Sequence, residues 1–210
     1  MLHSLVRHPL HGFRLGLVLA GALTAGSALA YPGGPPDGFA GNPPSYNSCV
    51  LCHGDFELNS GNGGLELLGL PSAYAAGVTY DLTVRLRDPE QLRWGFELTV
   101  MGPGDQAAGT LTVTDATNTQ LSDQAGTNPD FLKHRLAGTY AGTADGPVTW
   151  SFRWTAPLAN TATFYVAGNA ADDNDAPDGD YIYTLVQSLE QATVSATPSS
   201  WSAMKSLYRR

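Results

Sequence analysis

Two cysteines and a histidine lie within five residues of one another, at Cys49, Cys52 and His53. This is the C-x-x-C-H spacing by which proteins attach c-type haem. Two thiols one short turn apart can each form a thioether with one haem, and the adjacent histidine can supply the proximal nitrogen to the iron. The spacing therefore predicts a single, covalently bound haem c held by these three residues.

Three other interpretations of the motif are open, although the sequence holds no further cysteine. A Cys49–Cys52 disulfide can form in an exported protein, but it leaves His53 without a role. A thioredoxin-like redox pair needs a βαβ context, which the sequence does not indicate. A structural zinc site usually needs four protein ligands, so the neighbouring Cys52 and His53 would both have to turn onto one ion.

The residue on the other side of the iron has few candidates. After residue 30 the chain holds one further histidine, His134, and two methionines, Met101 and Met204. Alternation of apolar and polar residues over 131–136 places His134 on the apolar face of a strand. Such a histidine is usually a hydrogen-bonded core residue, but haem must also pack against an apolar surface. We predict His134 as the distal ligand, with Met101 or an open or water-bound position as alternatives.

Two further sets of residues are candidates for binding. The aromatic residues that could wall a haem pocket, or belong to an ordinary core, are Trp94, Phe96, Trp150 and Tyr165. The acidic segment Asp172–Asp180 holds five carboxylates, and oxygen-rich loops bind Ca²⁺. Its spacing does not fit the EF-hand template, so a solvated hairpin loop is the alternative to a calcium site.

The N-terminal 30 residues are typical of a secretory signal peptide. Arg7 and Arg14 precede an apolar run over 15–25, and the sequence at 28–30 gives an A-x-A cleavage site. The run is too short and too rich in small residues for a membrane span. We therefore expect export to the periplasm, the cell surface or the medium, with no integral membrane span in the mature chain. Export agrees with the motif, because bacteria attach haem c outside the cytoplasmic membrane.

Charge and motifs exclude several functions. Beyond residue 30 there are 9 basic and 19 acidic side chains, a net charge of −10. Such an acidic chain is a poor partner for nucleic acid or anionic membranes, whereas a basic redox partner would suit it. The sequence holds no nucleophile elbow, zinc-protease motif or phosphate-cradling loop. We therefore expect no enzymatic activity. If both axial positions of the iron are filled, we expect electron transfer. Self-assembly of the protein is a further possibility.

The elements that must position the motif come in two blocks. Residues 31–70 are rich in Pro and Gly, which predicts an arm that folds back and lays the haem against the domain. Residues 71–190 predict an all-β, immunoglobulin-like antiparallel β-sandwich, because short alternating runs are separated by turn residues. The predicted strands are Tyr80–Arg87, Trp94–Val100, Gly109–Thr114, Phe131–Leu136, Val148–Thr155, Thr161–Ala167 and Tyr181–Leu189.

Short segments spread over residues 46–189, in a set order, carry a resemblance to a known family. Besides the C-x-x-C-H motif, the Gly-rich loop after it and a lone His134, they are Leu70-Pro71-Ser72-Ala73-Tyr74, Gly77-Val78-Thr79-Tyr80, Trp94-Gly95-Phe96-Glu97-Leu98, Ala108-Gly109-Thr110-Leu111, Trp150-Ser151-Phe152-Arg153-Trp154-Thr155-Ala156-Pro157, Phe164-Tyr165-Val166-Ala167-Gly168-Asn169-Ala170 and Gly179-Asp180-Tyr181-Ile182-Tyr183. The chain resembles the bacterial choice-of-anchor V domain proteins, which look like relatives of the reeler domain of reelin and spondin. The resemblance implies an immunoglobulin-like sandwich on an exported, often surface-attached protein, and it implies no catalytic activity. Many members of that family carry the C-x-x-C-H motif.

The tail, residues 191–210, departs from that family. Its members often end in a hydrophobic anchoring or sorting segment, and none stands here. Instead Trp201, Met204 and Tyr208 follow helical spacing, which predicts a short amphipathic helix. A docked or frayed end and a sorting tag are both compatible with this pattern.

Overall fold

The computed structural model describes residues 31–122 and 129–193, and these form a protein of β-strands with three short 3-10 turns. The predicted signal peptide and the predicted C-terminal helix lie outside the described residues. The strands are β1 Gly64–Leu68, β2 Thr79–Arg87, β3 Arg93–Met101, β4 Thr110–Val113, β5 Thr119–Gln120, β6 Leu132–His134, β7 Val148–Thr155, β8 Thr161–Ala171 and β9 Tyr181–Glu190. The 3-10 turns are Cys49–Leu51, Pro103–Asp105 and Ala137–Thr139.

The strands form two antiparallel sheets, in the orders β1-β2-β7-β4 and β5-β6-β3-β8-β9. Alternation in β7 sends every second residue inward, and Trp150 and Trp154 are both fully buried. Aromatic side chains of this size each bury about 150–250 Å² and dominate core energetics. Side chains of both sheets meet in one hydrophobic cluster that includes Leu82, Val84, Phe152 and Trp154 from the first sheet and Phe96, Leu98, Phe164 and Val166 from the second. The predicted all-β antiparallel sandwich is confirmed.

Sequence periodicity identified seven of the nine strands in the described part of the chain and missed β1 and β5. The runs predicted from Tyr80 onward correspond to β2, β3, β4, β6, β7, β8 and β9. Strand β1 pairs with β2 through Leu67 opposite Val84, so the sandwich includes a segment from the range 31–70 assigned to the arm. Strand β5 has only two residues, too few to show a period. Nowhere in 31–122 and 129–193 is there a helix long and apolar enough to cross a bilayer.

Strand β3 is buried on both faces, although its alternating pattern predicts one wet face. Trp94, Phe96 and Leu98 belong to the core between the sheets. On the opposite face, Glu97 and Thr99 are also completely buried. Because β3 lies between β6 and β8 in the five-stranded sheet, something must cover the middle of that sheet's outer surface.

The cover is the N-terminal arm, which folds back over β3 and β6. The ammonium of Lys133, on β6, donates to the backbone oxygen of Pro35 over 2.8 Å and to Asp37 Oδ1 over 2.9 Å. The backbone N–H of Phe39 donates to Glu97 Oε2 over 2.5 Å. Buried charges are stable only when paired or hydrogen-bonded, so these polar contacts fix the place of the arm on the sheet.

Candidate functional site

The C-x-x-C-H motif forms a tight turn at the end of the arm. The backbone N–H groups of Cys52 and His53 both donate to the carbonyl of Cys49, over 3.1 and 2.9 Å. Residues three and four positions apart lie on the same side of such a turn. Cys49, Cys52 and His53 accordingly line one cavity, while Leu51 between them is exposed.

The cavity lies between the arm, the outer face of the five-stranded sheet and the β8–β9 loop. It contains about 830 Å³ of space free of protein atoms, part of it open to solvent, and its walls are mainly apolar. Cofactor pockets commonly have apolar walls with a few polar groups. The lining includes Phe39 from the arm, Gly95 from β3 and His134 from β6, so this one cavity brings His134 together with the turn.

A contact with a buried carboxylate holds the His53 ring in place. Its Nδ1 lies 2.5 Å from Oδ2 of Asp180, whose side chain is 1% exposed. The Asn169 amide donates to the same carboxylate oxygen over 3.2 Å and lies 3.3 Å from His53 Nδ1. A contact between histidine Nδ1 and a carboxylate is the arrangement found behind metal-binding histidines, whose Nε2 faces the metal.

His134 is buried at the end of β6, where its ring contacts backbone groups of β3. The last ladder pair of β3 and β6 is Glu97 with Lys133. Beyond it, the N–H of Phe96 lies 3.0 Å from His134 Nδ1, and the carbonyl of Phe96 lies 3.1 Å from the same nitrogen. A backbone hydrogen bond with Tyr31 also reaches the ring. His134 is thus oriented by backbone groups, as expected both for a core histidine and for a pre-positioned ligand.

The His134 ring is neutral at pH 7. Burial lowers the pKa of His134 to about 4, against the smaller opposing effect of its backbone hydrogen bonds with Phe96 and Tyr31. A neutral imidazole has a lone pair to offer a metal.

Gly95 provides the space that His134 occupies. A Cβ atom at this position would lie 2.8 Å from Cε1 of the His134 ring. Gly95 is also the ladder partner of Asn169 on β8, and Asn169 contacts His53. The two histidines are therefore positioned by directly paired residues of two neighbouring strands.

The two cysteines are unpaired in this structure. Burial raises the pKa of the Cys49 thiol to about 12, and the nearby Glu97 carboxyl adds to the rise. Thiols used in redox exchange have lowered pKa values, because the thiolate is the reacting form. Cys49 therefore does not have the properties of a thioredoxin-like nucleophile.

The remaining candidate residues divide into those at the cavity and those away from it. Trp94 and Phe96 line the cavity. Tyr165 and Trp150 are not part of its lining, and Trp150 belongs to the core, where its Nε1 donates to Gly138. Met101 is buried on β3 but does not line the cavity either. Met204 lies outside the described residues.

The acidic segment Asp172–Asp180 is divided between two tasks. Asp173 and Asp175 each lie 2.8 Å from the Arg93 guanidinium, whereas Asp180 turns inward to His53. Within residues 31–122 and 129–193, no three His, Cys, Asp or Glu side chains form a group that could hold a metal ion by themselves. Haem iron needs only two protein ligands, because the porphyrin supplies the others. Calcium binding here stays a prediction.

Sequence reasoning missed the residues that support the two histidines. In the sequence Asp180 is one of five carboxylates in an acidic loop, and Asn169 and Gly95 are single residues within short strand segments. Their partners are remote in sequence; Asp180 is separated from His53 by 127 positions. A signal existed at Gly95 and Asn169, because a glycine and a polar residue on long strands weaken the apolar pattern.

Comparison with known proteins concerns the fold alone. No protein-family model and no curated protein sequence matches the chain. Among solved structures, the human F-spondin reeler domain is similar with 19% identity and a TM-score of 0.43, over 66% of this chain and 96% of that one. A cohesin module from a Clostridium perfringens family 33 glycoside hydrolase has 8% identity and a TM-score of 0.39, over 62% and 96%.

A third similar structure is the full-length major pilin SpaD from Corynebacterium diphtheriae. It has 11% identity and a TM-score of 0.38, over 59% of this chain and 35% of that one. We assign no function to this protein from structural similarities with such low identities and TM-scores.

The close contact at Gly95 leads to a prediction. We expect Gly95→Ala to lower the free energy of unfolding by about 1–3 kcal/mol, the usual cost of overpacking, because the new methyl group must displace the His134 ring. Urea unfolding measures the change. Gly33→Ala is the matched control, since no atom lies within 4 Å of an added Cβ there. Equal stability of the two variants would show that His134 does not pack against Gly95.

Proposed function

We propose that this is an exported, monohaem c-type cytochrome-like protein that transfers single electrons outside the cytoplasmic membrane, in the periplasm, at the cell surface or in the medium. The observation that supports it best is the shared cavity. All four residues predicted from the sequence to hold haem, Cys49, Cys52, His53 and His134, line that cavity.

The donor set fits the proposed group. Cys49 and Cys52 would form the two thioethers, and their place on one turn gives them a common direction. His53, through Nε2, and His134 would be the two protein ligands of the iron. When bound, haem c supplies reversible one-electron chemistry.

Asp180 would act as a positioning residue for His53. By accepting the Nδ1 proton over 2.5 Å, it fixes the ring's tautomer and orientation and makes Nε2 a stronger donor. A stronger donor stabilises the oxidised, more positive iron, so Asp180 would lower the reduction potential. Asn169 would keep Asp180 in place through its own hydrogen bond.

Two features favour electron transfer over catalysis. Two histidine ligands would leave no position on the iron for a substrate, and bis-histidine ligation favours a lower potential than His/Met ligation. The acidic balance of the chain would draw a basic redox partner by an attraction that weakens with salt.

A second candidate function is a non-enzymatic adhesion or assembly module, in which haem or Ca²⁺ is structural. Direct protein contacts favour it. Lys133 and Glu97 hold the arm on the sheet, and the N–H of Gly179 in the acidic loop donates to Asp55 just after the motif over 3.2 Å. Bound haem or Ca²⁺ would then add to the protein contacts that already hold the arm on the sheet.

Covalent attachment is the first test. Expressed with a signal peptide and haem-attachment machinery, the protein should be red, and the colour should survive denaturation and acid–acetone extraction. Cys52→Ala should abolish or greatly reduce the covalent haem stain on a denaturing gel. Val50→Ala, within the same turn but away from the cavity lining, is the matched control and should stain fully. A colourless wild-type protein with a Cys49–Cys52 disulfide would reject the proposal.

Ligation by His134 is the second test. The ferric wild-type spectrum should be low-spin and lack the methionine-to-iron charge-transfer band. His134→Ala should become high-spin and bind cyanide in the ferric form and CO in the ferrous form, because one axial position is opened. Met101→Leu is the control and should keep the wild-type spectrum. A His134→Ala spectrum identical to wild type would show that another group binds the iron.

The two candidate functions differ in what haem does for the fold. For a carrier, reduction by small mediators should be rapid and reversible while the protein stays folded. If haem is structural, the free energy of unfolding of the haem-free Cys49→Ala/Cys52→Ala protein should be lower than that of the haem-bearing protein by more than about 3 kcal/mol. This corresponds to roughly 6–12 °C in Tm at this size. We expect rapid electron exchange, measured by stopped-flow reduction. We also expect a smaller loss of stability, measured by thermal unfolding. Slow exchange with a large loss would favour the structural module.

A further inference from the structure

Arg93 is a cationic side chain at the cavity that the proposed function does not use. It is the first residue of β3, and alternation along the strand places it on the same outer face as Gly95. Its side chain lines the cavity and is 29% exposed, so it reaches both the cavity and solvent. Among the described residues of the cavity lining, Arg93 alone carries a permanent positive charge.

The protein partners of Arg93 leave part of its guanidinium unsatisfied. Its Nη1 donates to Asp175 Oδ1 over 2.8 Å. Asp173 Oδ1 lies 2.8 Å from Nε, but Nε is buried and its N–H has no hydrogen-bond acceptor within the described part of the chain. The Asp173 carboxylate therefore lies off the direction of that N–H bond. A buried N–H without an acceptor is costly, so the guanidinium has capacity for a further acceptor.

Asp175 is an exchangeable partner of Arg93. Its side chain is 84% exposed, and ion pairs of so exposed a carboxylate contribute little to stability. The loop around it has hydrogen bonds of its own, because the Asn174 N–H donates to Asp172 Oδ1 over 3.1 Å and the Ala176 N–H donates to Asn174 Oδ1 over 2.7 Å. A stronger acceptor could therefore take the place of Asp175 on Arg93 while these bonds keep the loop folded.

The proposed occupant of the cavity brings carboxylates of its own. Haem carries two propionate groups, which are ionised at neutral pH. The cavity walls are mainly apolar and already include the carboxylates of Asp173, Asp175 and Asp180, so a propionate there needs a cation beside it. A guanidinium suits this task, because its planar N–H donors match the geometry of a carboxylate.

We propose that Arg93 binds a propionate carboxylate of the covalently attached haem, which takes the place of Asp175; this rests on the proposed function. The Nε–H, which has no acceptor among the described residues, and the Nη1 group that Asp175 releases are then both available to the propionate. Arg93 neutralises the propionate and fixes that edge of the haem to the outer face of β3, without contacting the iron.

The experiment is resonance Raman spectroscopy of the haem-bearing protein, because the bending mode of the propionate groups responds to their hydrogen bonds. Arg93→Gln should shift this band to lower frequency, since a neutral amide is a weaker donor to a carboxylate than a guanidinium. Arg93→Lys should give a smaller shift in the same direction, since the ammonium keeps the charge but not the paired donors. The lysine variant decides the question if the glutamine variant does not accumulate with haem.

Two controls separate direct binding from an effect through the acidic loop. Arg153→Gln is the matched control, because Arg153 Nε lies 2.8 Å from Asp81 Oδ1 on the other sheet, and the band should keep its wild-type frequency. Asp175→Asn removes the charge that pairs the loop with Arg93 but keeps the guanidinium, so the band should also stay in place. An unchanged band in the Arg93 variants that carry haem, or an equal shift in Asp175→Asn, would overturn this inference alone. A wild-type protein without covalent haem would overturn the proposed function as well.

Discussion

The covering of β3's outer face is the constraint on which the rest of the site depends. A strand in the middle of a sheet has its backbone bonded on both sides, and here its side chains are enclosed on both sides too. The inner face is closed by the opposite sheet, as in any sandwich. The outer face carries Glu97 and is closed by the arm. Because the arm continues directly into the C-x-x-C-H turn, covering the sheet and placing the turn are one structural event.

The outer face is unusual in combining small and polar residues beneath an apolar cavity. Gly95 leaves room for a ring, Asn169 and Asp180 orient another ring, and Glu97 sits below the arm. A sheet surface meant only for solvent would need none of these arrangements, and one meant only for packing would fill the space with aliphatic side chains. The same few residues explain both the shape of the cavity and the fixed orientation of the two histidines.

Most of the fold could be predicted from the sequence, but only some residues of the candidate site could. Strands such as β2 and β7 alternate strictly, so period and class could be predicted from them. The motif predicted Cys49, Cys52 and His53 by spacing, and His134 followed from the small number of histidines. The supporting groups could not be predicted, because Asp180 and Asn169 meet His53 only through the pairing of β8 with β9 and with β3. The burial of β3 on both faces could not be predicted either. A glutamate such as Glu97 in an alternating strand indicates a solvent-exposed face unless another segment is known to cover it.

The 127 positions between His53 and Asp180 have a consequence for the maturation of the chain. A protein that crosses a membrane from its N-terminus presents the cysteine turn first and the strands that support it last. Until β8 has paired with β3 and β9 with β8, the turn lacks the Asn169 and Asp180 side chains that contact His53 in the folded protein. The order of the chain thus presents the turn to a modifying enzyme before the surface on which the turn docks has formed.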